Sequence, residues 1–436
     1  MKIMHIRKNI MKIPFWGYYF LQDAWIKKRL KKINCENENF QDDADHMLKG
    51  LLSYAYKAFP AYYHKYQIDK DADISQYPIL SKRDYQKNPD IFVSKYKKFL
   101  VTDKTVTSGS TGEPFAFEVT PNHDPAHQKM LWDLMGYQDG DQIVLINGKV
   151  MDEKKVKNHI YYVKREEKNK LYGDYMISCL YLTDQTAPYY FEFLKKVKPD
   201  YIKGYTYAVF RLAQYAEAHG IKLEHPIKGI QLTSEMVLDY QIPIIERAFN
   251  TKVYMQYGQA EAGMFAYTYD DTHKYKCSPV YGYMEVLDKN GKHVKEGETG
   301  EAVVTSFSNY VMPFIRYRTG DLVEYGGKKN GIVILNRVIG RTQDIVYNKD
   351  KEGISLTDYI TNTAYSHMLK WRIVQKEYGK ITFQIVKGPG YSEKDEEEFR
   401  EVYEKNGKME IEFQYVHDLG LSKKGKSIFL DQYLEP

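Results

Sequence analysis

Residues 105 to 120 read TVTSGSTGEPFAFEVT. Gly109 and Gly112 stand among four hydroxyl-bearing residues, Thr107, Ser108, Ser110 and Thr111. After Pro114, the residues Phe115, Phe117 and Val119 alternate as a strand would. Backbone amides of a glycine-rich turn converge on an anion, and flanking hydroxyls add donors. Such a loop suits a phosphate; the plain alternative is an ordinary turn. The Walker pattern GxxxxGK[ST] is absent from the whole chain. The loop precedes a β-like run instead of joining a strand to a helix, which separates it from the dinucleotide fingerprint.

The loop is followed, in order, by QYGQAE (256 to 261), GETGE (297 to 301), YRTGD (317 to 321), GRTQD (340 to 344) and a late GK (425 to 426). Together these segments resemble the adenylate-forming superfamily of acyl-CoA synthetases, peptide-synthetase adenylation domains and luciferases. Within it they look most like the phenylacetate–CoA ligase-like group, in the branch associated with capsular polysaccharide gene clusters. YPILSKRDYQKNP (77 to 89) resembles that group's lead-in segment, and the resemblance runs over roughly residues 75 to 430.

The resemblance implies a two-step ligase that uses ATP and Mg²⁺. Thr107, Ser108, Gly109, Ser110, Thr111 and Gly112 would wrap the β- and γ-phosphates. Ser234, Glu235, Gln256, Tyr257, Gly258 and Gln259 would line the nucleotide, with Tyr257 stacked on adenine. Glu261 would hold Mg²⁺ through a hard oxygen. Asp321 would accept hydrogen bonds from the ribose hydroxyls, and Arg341 would contact ribose or phosphate. Lys426 would neutralise charge at the α-phosphate and the attacking carboxylate. With Thr111 and Glu261 it makes the implied catalytic set, and Gln343 would be the hinge. Tyr205, Tyr207, Met236 and Gly263 would line the acid pocket. The acceptor of the acyl group is coenzyme A, a carrier-protein pantetheine or an amine such as an amino sugar.

Each residue also has a plainer role: Tyr257 as core, Glu261 as a solvated acid, Arg341 in a surface ion pair, Lys426 as one lysine of the basic run SKKGKS. The chain departs from the superfamily pattern at three positions. Glu113 replaces a frequent lysine, Ala260 a serine or threonine, and Gln343 an aspartate or lysine. Two other functions therefore stay open: a non-catalytic ATP-binding scaffold of the same fold, and an acyltransferase that uses a preformed activated acyl group.

The totals agree with a globular protein of more than one domain. The chain has 436 residues, 43% hydrophobic and 28% charged, with a net charge of +5. That charge is too mild and too spread for a nucleic-acid footprint. Three dispersed cysteines give neither a disulfide framework nor zinc spacing and fit a reducing compartment. No apolar window is long enough to span a membrane, and no secretory signal is evident, so a cytoplasmic location is expected. Residues 1 to 34 hold nine Lys or Arg against one acid, Asp23, beside Trp16, Tyr18, Tyr19, Phe20 and Trp25. This segment reads either as a surface resting on anionic lipid at the inner membrane face or as a first helix with a solvated basic side.

The elements that must position these residues follow from periodicity. Helical spacing covers 46 to 59 up to Pro60, and Ser81 caps a short helix. From 141 onward strand, helix and strand alternate with short joints: 141–148, 208–220, 228–234, 242–249 and 251–258. This is the α/β pattern of a mostly parallel sheet. Hairpins with glycine turns follow 280; after 341 come a hairpin around Gly379, a helix over 395–407 ending at Gly407, and a strand at 409–416. The expected fold is α/β plus α+β. A large domain, 1 to 340, holds mixed sheets flanked by helices and a small β-barrel-like part; a small mobile α+β lid spans 341 to 436.

Overall fold

The computed structural model describes residues 15–106, 115–120, 124–166, 170–341, 344–356, 364–422 and 424–434. Thr107, Ser108, Gly109, Ser110, Thr111, Gly112 and Gln343 lie outside the described residues. By contacts the chain forms two compact units: residues 1–134 with 256–338, and residues 135–255 with 339–436.

The first unit joins helices to an antiparallel sheet. Its strands run in the order Gly282–Leu287, Thr299–Ser306, Tyr317–Lys329, Ile332–Arg341, Tyr275–Cys277 and Phe265–Tyr267. The helix Phe15–Leu30 buries Ile26 and Leu30 and leaves Lys27 and Lys28 exposed. Arg29 turns inward, onto the Phe40 ring and the carboxylates of Glu38 and Asp43. The next helix, Gln41–Ala58, stops before Pro60, which opens a further helix, Pro60–Tyr66, at a position where no amide hydrogen is needed. Ser81 caps Lys82–Lys87 as expected, and the Asp84 carboxylate accepts from the Ser81 amide at 2.8 Å. The strands Asp103–Val106 and Ala116–Val119 pair antiparallel.

Arg316, just before YRTGD, is a buried anchor of this unit. Its guanidinium donates to both Glu285 oxygens, at 3.0 and 2.9 Å, and to the carbonyls of Ser75 and Tyr77, at 3.0 and 2.9 Å. Both charges are nearly sealed from water. Removing one member leaves the other buried without its partner. Glu285→Ala is therefore expected to lower unfolding free energy by about 3–5 kcal/mol, read as a lower denaturant midpoint. A change below about 1 kcal/mol would place the pair with ordinary surface bridges.

The second unit holds the parallel sheet. Tyr175–Ser178, Ile143–Asn147, Tyr201–Tyr205 and Gly229–Thr233 lie side by side and parallel, with Tyr162–Lys164 antiparallel at one edge. Burial along Tyr201–Tyr205 and Gly229–Thr233 is almost continuous, as a sheet covered on both faces requires. Ala187–Val197 and Thr206–His219 connect strands of this sheet, Gln241–Phe249 follows Gly229–Thr233, and Gly220 ends the second helix in the left-handed region at φ 62°. A four-stranded sheet completes the unit: Glu410–Tyr415, Lys380–Lys387, Met368–Glu377 and Leu430–Gln432.

The helix expected over 395–407 is α-helical only over Glu393–Arg400 and widens to π turns over Glu401–Asn406. Gly407 has φ −88°, and the left-handed residue is Lys408. Glycine is needed at 407 for space, since a Cβ there would lie 2.7 Å from the Tyr403 carbonyl oxygen. No helix among the described residues is long and apolar enough to cross a membrane.

Candidate active site

In the first unit, QYGQAE and YRTGD are cross-linked by two tyrosines. Gln256–Gly258 pairs antiparallel with Phe265–Tyr267. The intervening turn is tight: Ala262 takes φ 54°, and a Cβ on Gly258 would lie 2.9 Å from the Met264 carbonyl oxygen. Gly263, assigned to the acid pocket, packs on Val304, whose methyl would lie 2.3 Å from a Cβ. The Tyr257 hydroxyl donates to Asp321 at 2.7 Å, and the Tyr317 hydroxyl donates to Glu261 at 2.9 Å. Each motif thus supplies one phenol and one carboxylate. Burial pushes both phenols well above their ordinary range, and the carboxylate each one faces adds to the shift. They remain protonated donors at any working pH.

Asp321 is 8% exposed. Its amide donates to the Thr319 hydroxyl at 3.0 Å, and that hydroxyl donates to the Ala302 carbonyl at 2.8 Å. From GETGE, Glu301 accepts from the Gly320 amide at 3.2 Å and pairs with Arg318 at 3.0 Å. Thr319 thus holds the Asp321 backbone, and Tyr257 holds its carboxylate. Beside Tyr257, both ends of the Gln259 amide are buried with no hydrogen-bond partner among the described residues. Buried polar groups in native structures are almost always paired, which sets this amide apart from its neighbours. Ala260 is exposed. Glu261 offers a single hard carboxylate, and no cluster of three metal-ligating side chains occurs among the described residues. One carboxylate is a donor set that suits Mg²⁺ carried on phosphates and waters, and it does not suit a dedicated protein cage.

In the second unit the relevant place is the carboxyl edge of the parallel sheet. From Ile143–Asn147 the chain passes to Tyr175–Ser178 on one side, then returns to Tyr201–Tyr205 on the other. At such a reversal the carboxyl ends of the strands leave a crevice where open α/β sheets take ligands. Tyr205 ends its strand there, and Tyr207 is buried in the first turn of the following helix. Ser234 follows Gly229–Thr233 and takes φ 71°, a strained value for a non-glycine residue of the kind that collects at functional sites. Met236 is half-buried. Glu235 accepts from two backbone amides, Tyr207 at 2.9 Å and Ser427 at 2.7 Å. Burial raises its carboxyl above the ordinary value, against the opposing pull of those amides and of the Lys426 charge.

Lys426 lies in a turn in which Gly425 takes φ 79°. Its amide donates to the Ser422 hydroxyl at 3.0 Å, and its carbonyl accepts from the Ser422 amide at 2.8 Å. The ammonium sits 5.8 Å from the Tyr205 ring centre, within cation–π range. Arg341 ends the strand Ile332–Arg341, and its carbonyl accepts from the Asp344 amide at 2.9 Å.

The expected residues thus gather in two sets. Gln256, Tyr257, Gly258, Gln259, Glu261, Gly263 and Asp321 belong to the first unit; Tyr205, Tyr207, Ser234, Glu235, Met236, Arg341 and Lys426 belong to the second. Three contributors carry no motif of their own. Tyr317 opens YRTGD and is marked only by its place in it. Gly148 and Cys179, which touch the lysine turn, each follow directly on a strand and have no other signal.

No family model matches the chain. Protein CapK of Staphylococcus aureus is 25% identical over 402 residues, spanning 87% of this chain and 86% of CapK. Among solved structures, a 2-hydroxyisobutyryl-CoA ligase in the postadenylation state, in complex with R3-HIB-AMP, superposes with a TM-score of 0.68. It is 17% identical and covers 90% of this chain and 89% of its own. The GH3.15 acyl acid amido synthetase gives a TM-score of 0.57 at 15% identity, covering 89% of each chain. The chain has the mixed α/β fold of the adenylate-forming ligases, among which its neighbours include both a CoA ligase and an acid-amido synthetase.

Proposed function

We propose that this chain activates a carboxylic acid with ATP, releases pyrophosphate, and passes the acyl group from the resulting acyl-adenylate to a thiol or an amine. The observation that carries this reading is the placement of Lys426. A mobile-headed point charge stands at the carboxyl edge of a parallel sheet, against Tyr205, where an α-phosphate and a carboxylate need a common counter-charge.

The substrate carboxylate attacks the α-phosphorus, and the bond to the β-phosphate oxygen breaks. A carboxylate is already nucleophilic at neutral pH, so the protein need supply no strong base. It supplies position and charge. Asp321 receives the ribose hydroxyls, Tyr257 stacks beside adenine, and the Gln259 amide takes the polar contact that Ala260 cannot make. Thr107 to Gly112 receive the β- and γ-phosphates as a chain of backbone donors, and Glu261 would hold Mg²⁺. When bound, that ion neutralises charge on the phosphate oxygens. Lys426 stabilises the charge that builds at the α-phosphate, and Arg341 holds ribose or phosphate. Tyr205, Tyr207, Met236 and Gly263 line the acid. Gln343 is the pivot for the second step.

The test is pyrophosphate release with ATP, Mg²⁺ and a panel of carboxylic acids. Release that depends on one acid class identifies both the activity and the substrate. ATP binding without release for every acid would leave the scaffold reading. Transfer from supplied acyl-CoA without ATP would leave the acyltransferase. The acceptor follows by adding coenzyme A, a pantetheine carrier or an amino sugar to the acid that gave release.

A further inference from the structure

The Lys426 turn is held by Glu235, Gly148 and Cys179. Glu235 uses one oxygen on the Tyr207 amide, at the start of the helix Thr206–His219, and the other on Ser427, next to Lys426. The helix end fixes the carboxylate, and the carboxylate then fixes the turn across 192 residues of sequence. Gly148 follows the strand Ile143–Asn147. A Cβ there would lie 1.9 Å from the Lys424 carbonyl oxygen, so no side chain fits at 148 while the turn is seated. A Cβ on Gly425 would lie 2.8 Å from both Gly148 Cα and Cys179 Sγ. The Cys179 thiol donates to the Gly425 carbonyl at 3.4 Å. All of these groups stand at the carboxyl edge of one sheet.

We propose that Glu235, Gly148 and Cys179 form a latch that seats the Lys426 turn on the carboxyl edge, and that Glu235 is a positioning residue for Lys426. The role of Lys426 rests on the function proposed above; the latch does not. In the first step the latch is closed and the ammonium is held in place. The turn meets its seat through one amide hydrogen bond, from Ser427 to Glu235, a thiol contact and a glycine-to-glycine approach. Each of these forms or breaks without moving a strand.

Cys179 reports on the latch without reference to activity. It is 1% exposed, and burial pushes its thiol up to about 12, so it stays protonated and unreactive while the turn covers it. The full-length protein is treated with N-ethylmaleimide, and modification is followed by peptide mass spectrometry. Buried Cys277, in the other unit, serves as the control for general unfolding. Gly148→Val blocks the seat by volume. Glu235→Gln puts an NH2 against one of the two amides and removes one bond. Both variants should raise Cys179 modification at least about tenfold with Cys277 unchanged and lower kcat for ATP–pyrophosphate exchange at least about tenfold, and Gly148→Val should do so with ATP affinity retained. Protection of Cys179 in both variants would overturn the latch. Exposure of Cys179 with undiminished exchange would uphold the latch and remove Lys426 from the reaction. If Gly148→Val also exposes Cys277, Glu235→Gln alone decides.

Discussion

Lys426→Ala is expected to lower ATP–pyrophosphate exchange about a hundredfold, close to 2.7 kcal/mol of transition-state stabilisation. The substitution removes the charge and little else. The Lys426 backbone is tied to Ser422 by two hydrogen bonds, at 3.0 and 2.8 Å, and neither uses its side chain. The strained position of the turn belongs to Gly425, so alanine at 426 meets no conformational penalty. Binding of ATP should therefore hold within a few fold while kcat falls, which separates loss of a counter-charge from loss of a site. Lys426→Arg should not restore the rate, because a planar guanidinium places its charge differently from a compact ammonium. Acyl transfer from added acyl-adenylate should survive in Lys426→Ala, since that step needs no charge at an α-phosphate under attack. An exchange rate equal to wild type in the alanine variant would refute the role given to Lys426.

Much of this arrangement was legible in the sequence, for identifiable physical reasons. The strand Ile143–Asn147 read well because burial on both faces favours a continuous apolar run. Gly220 and Ser81 read well because a left-handed helix end and a capped helix start each need a particular residue type. Pro60 was half legible. A proline stops a helix, yet its missing amide hydrogen equally suits the first residue of the next one, and here it does both. Gly407 carried an ambiguous signal, because glycine serves a tight approach as well as a left-handed turn.

The supporting contacts of the site were not legible, because they join residues far apart in sequence. Tyr317 reaches Glu261 across 56 positions, and Cys179 reaches Gly425 across 246. Glu235 stands beside Ser234 in sequence, and its bonds to the Tyr207 and Ser427 amides span 28 and 192 positions. Periodicity and turn chemistry report what a segment does locally. They carry no information on which strand end faces which turn.

Asp321→Ala should have the largest effect on use of the nucleotide. The carboxylate is oriented before any ligand arrives: Tyr257 holds one oxygen at 2.7 Å, and Thr319 fixes its backbone against Ala302. A charged acceptor is worth about 1.5–3 kcal/mol for each hydrogen bond. Two ribose hydroxyls then predict a loss in kcat/KM for ATP of roughly 10²- to 10⁴-fold. Truncation also leaves the Tyr257 hydroxyl buried without this acceptor, so some stability is lost, and Tm must be measured beside activity. Tyr257→Phe supplies the contrast. It removes the orienting donor and keeps the charge, and a loss of under about tenfold is expected. The decisive comparison uses 2′-deoxy-ATP. Wild type should discriminate against it by at least about tenfold, and Asp321→Ala should hardly discriminate at all, because the hydroxyl and the carboxylate lose the same bond. If the alanine variant still preferred ATP to its 2′-deoxy analogue by the wild-type ratio, the ribose would be read elsewhere. The Tyr257–Asp321 pair would then be a structural cross-link between two motifs, and the nucleotide would have to be placed by other residues.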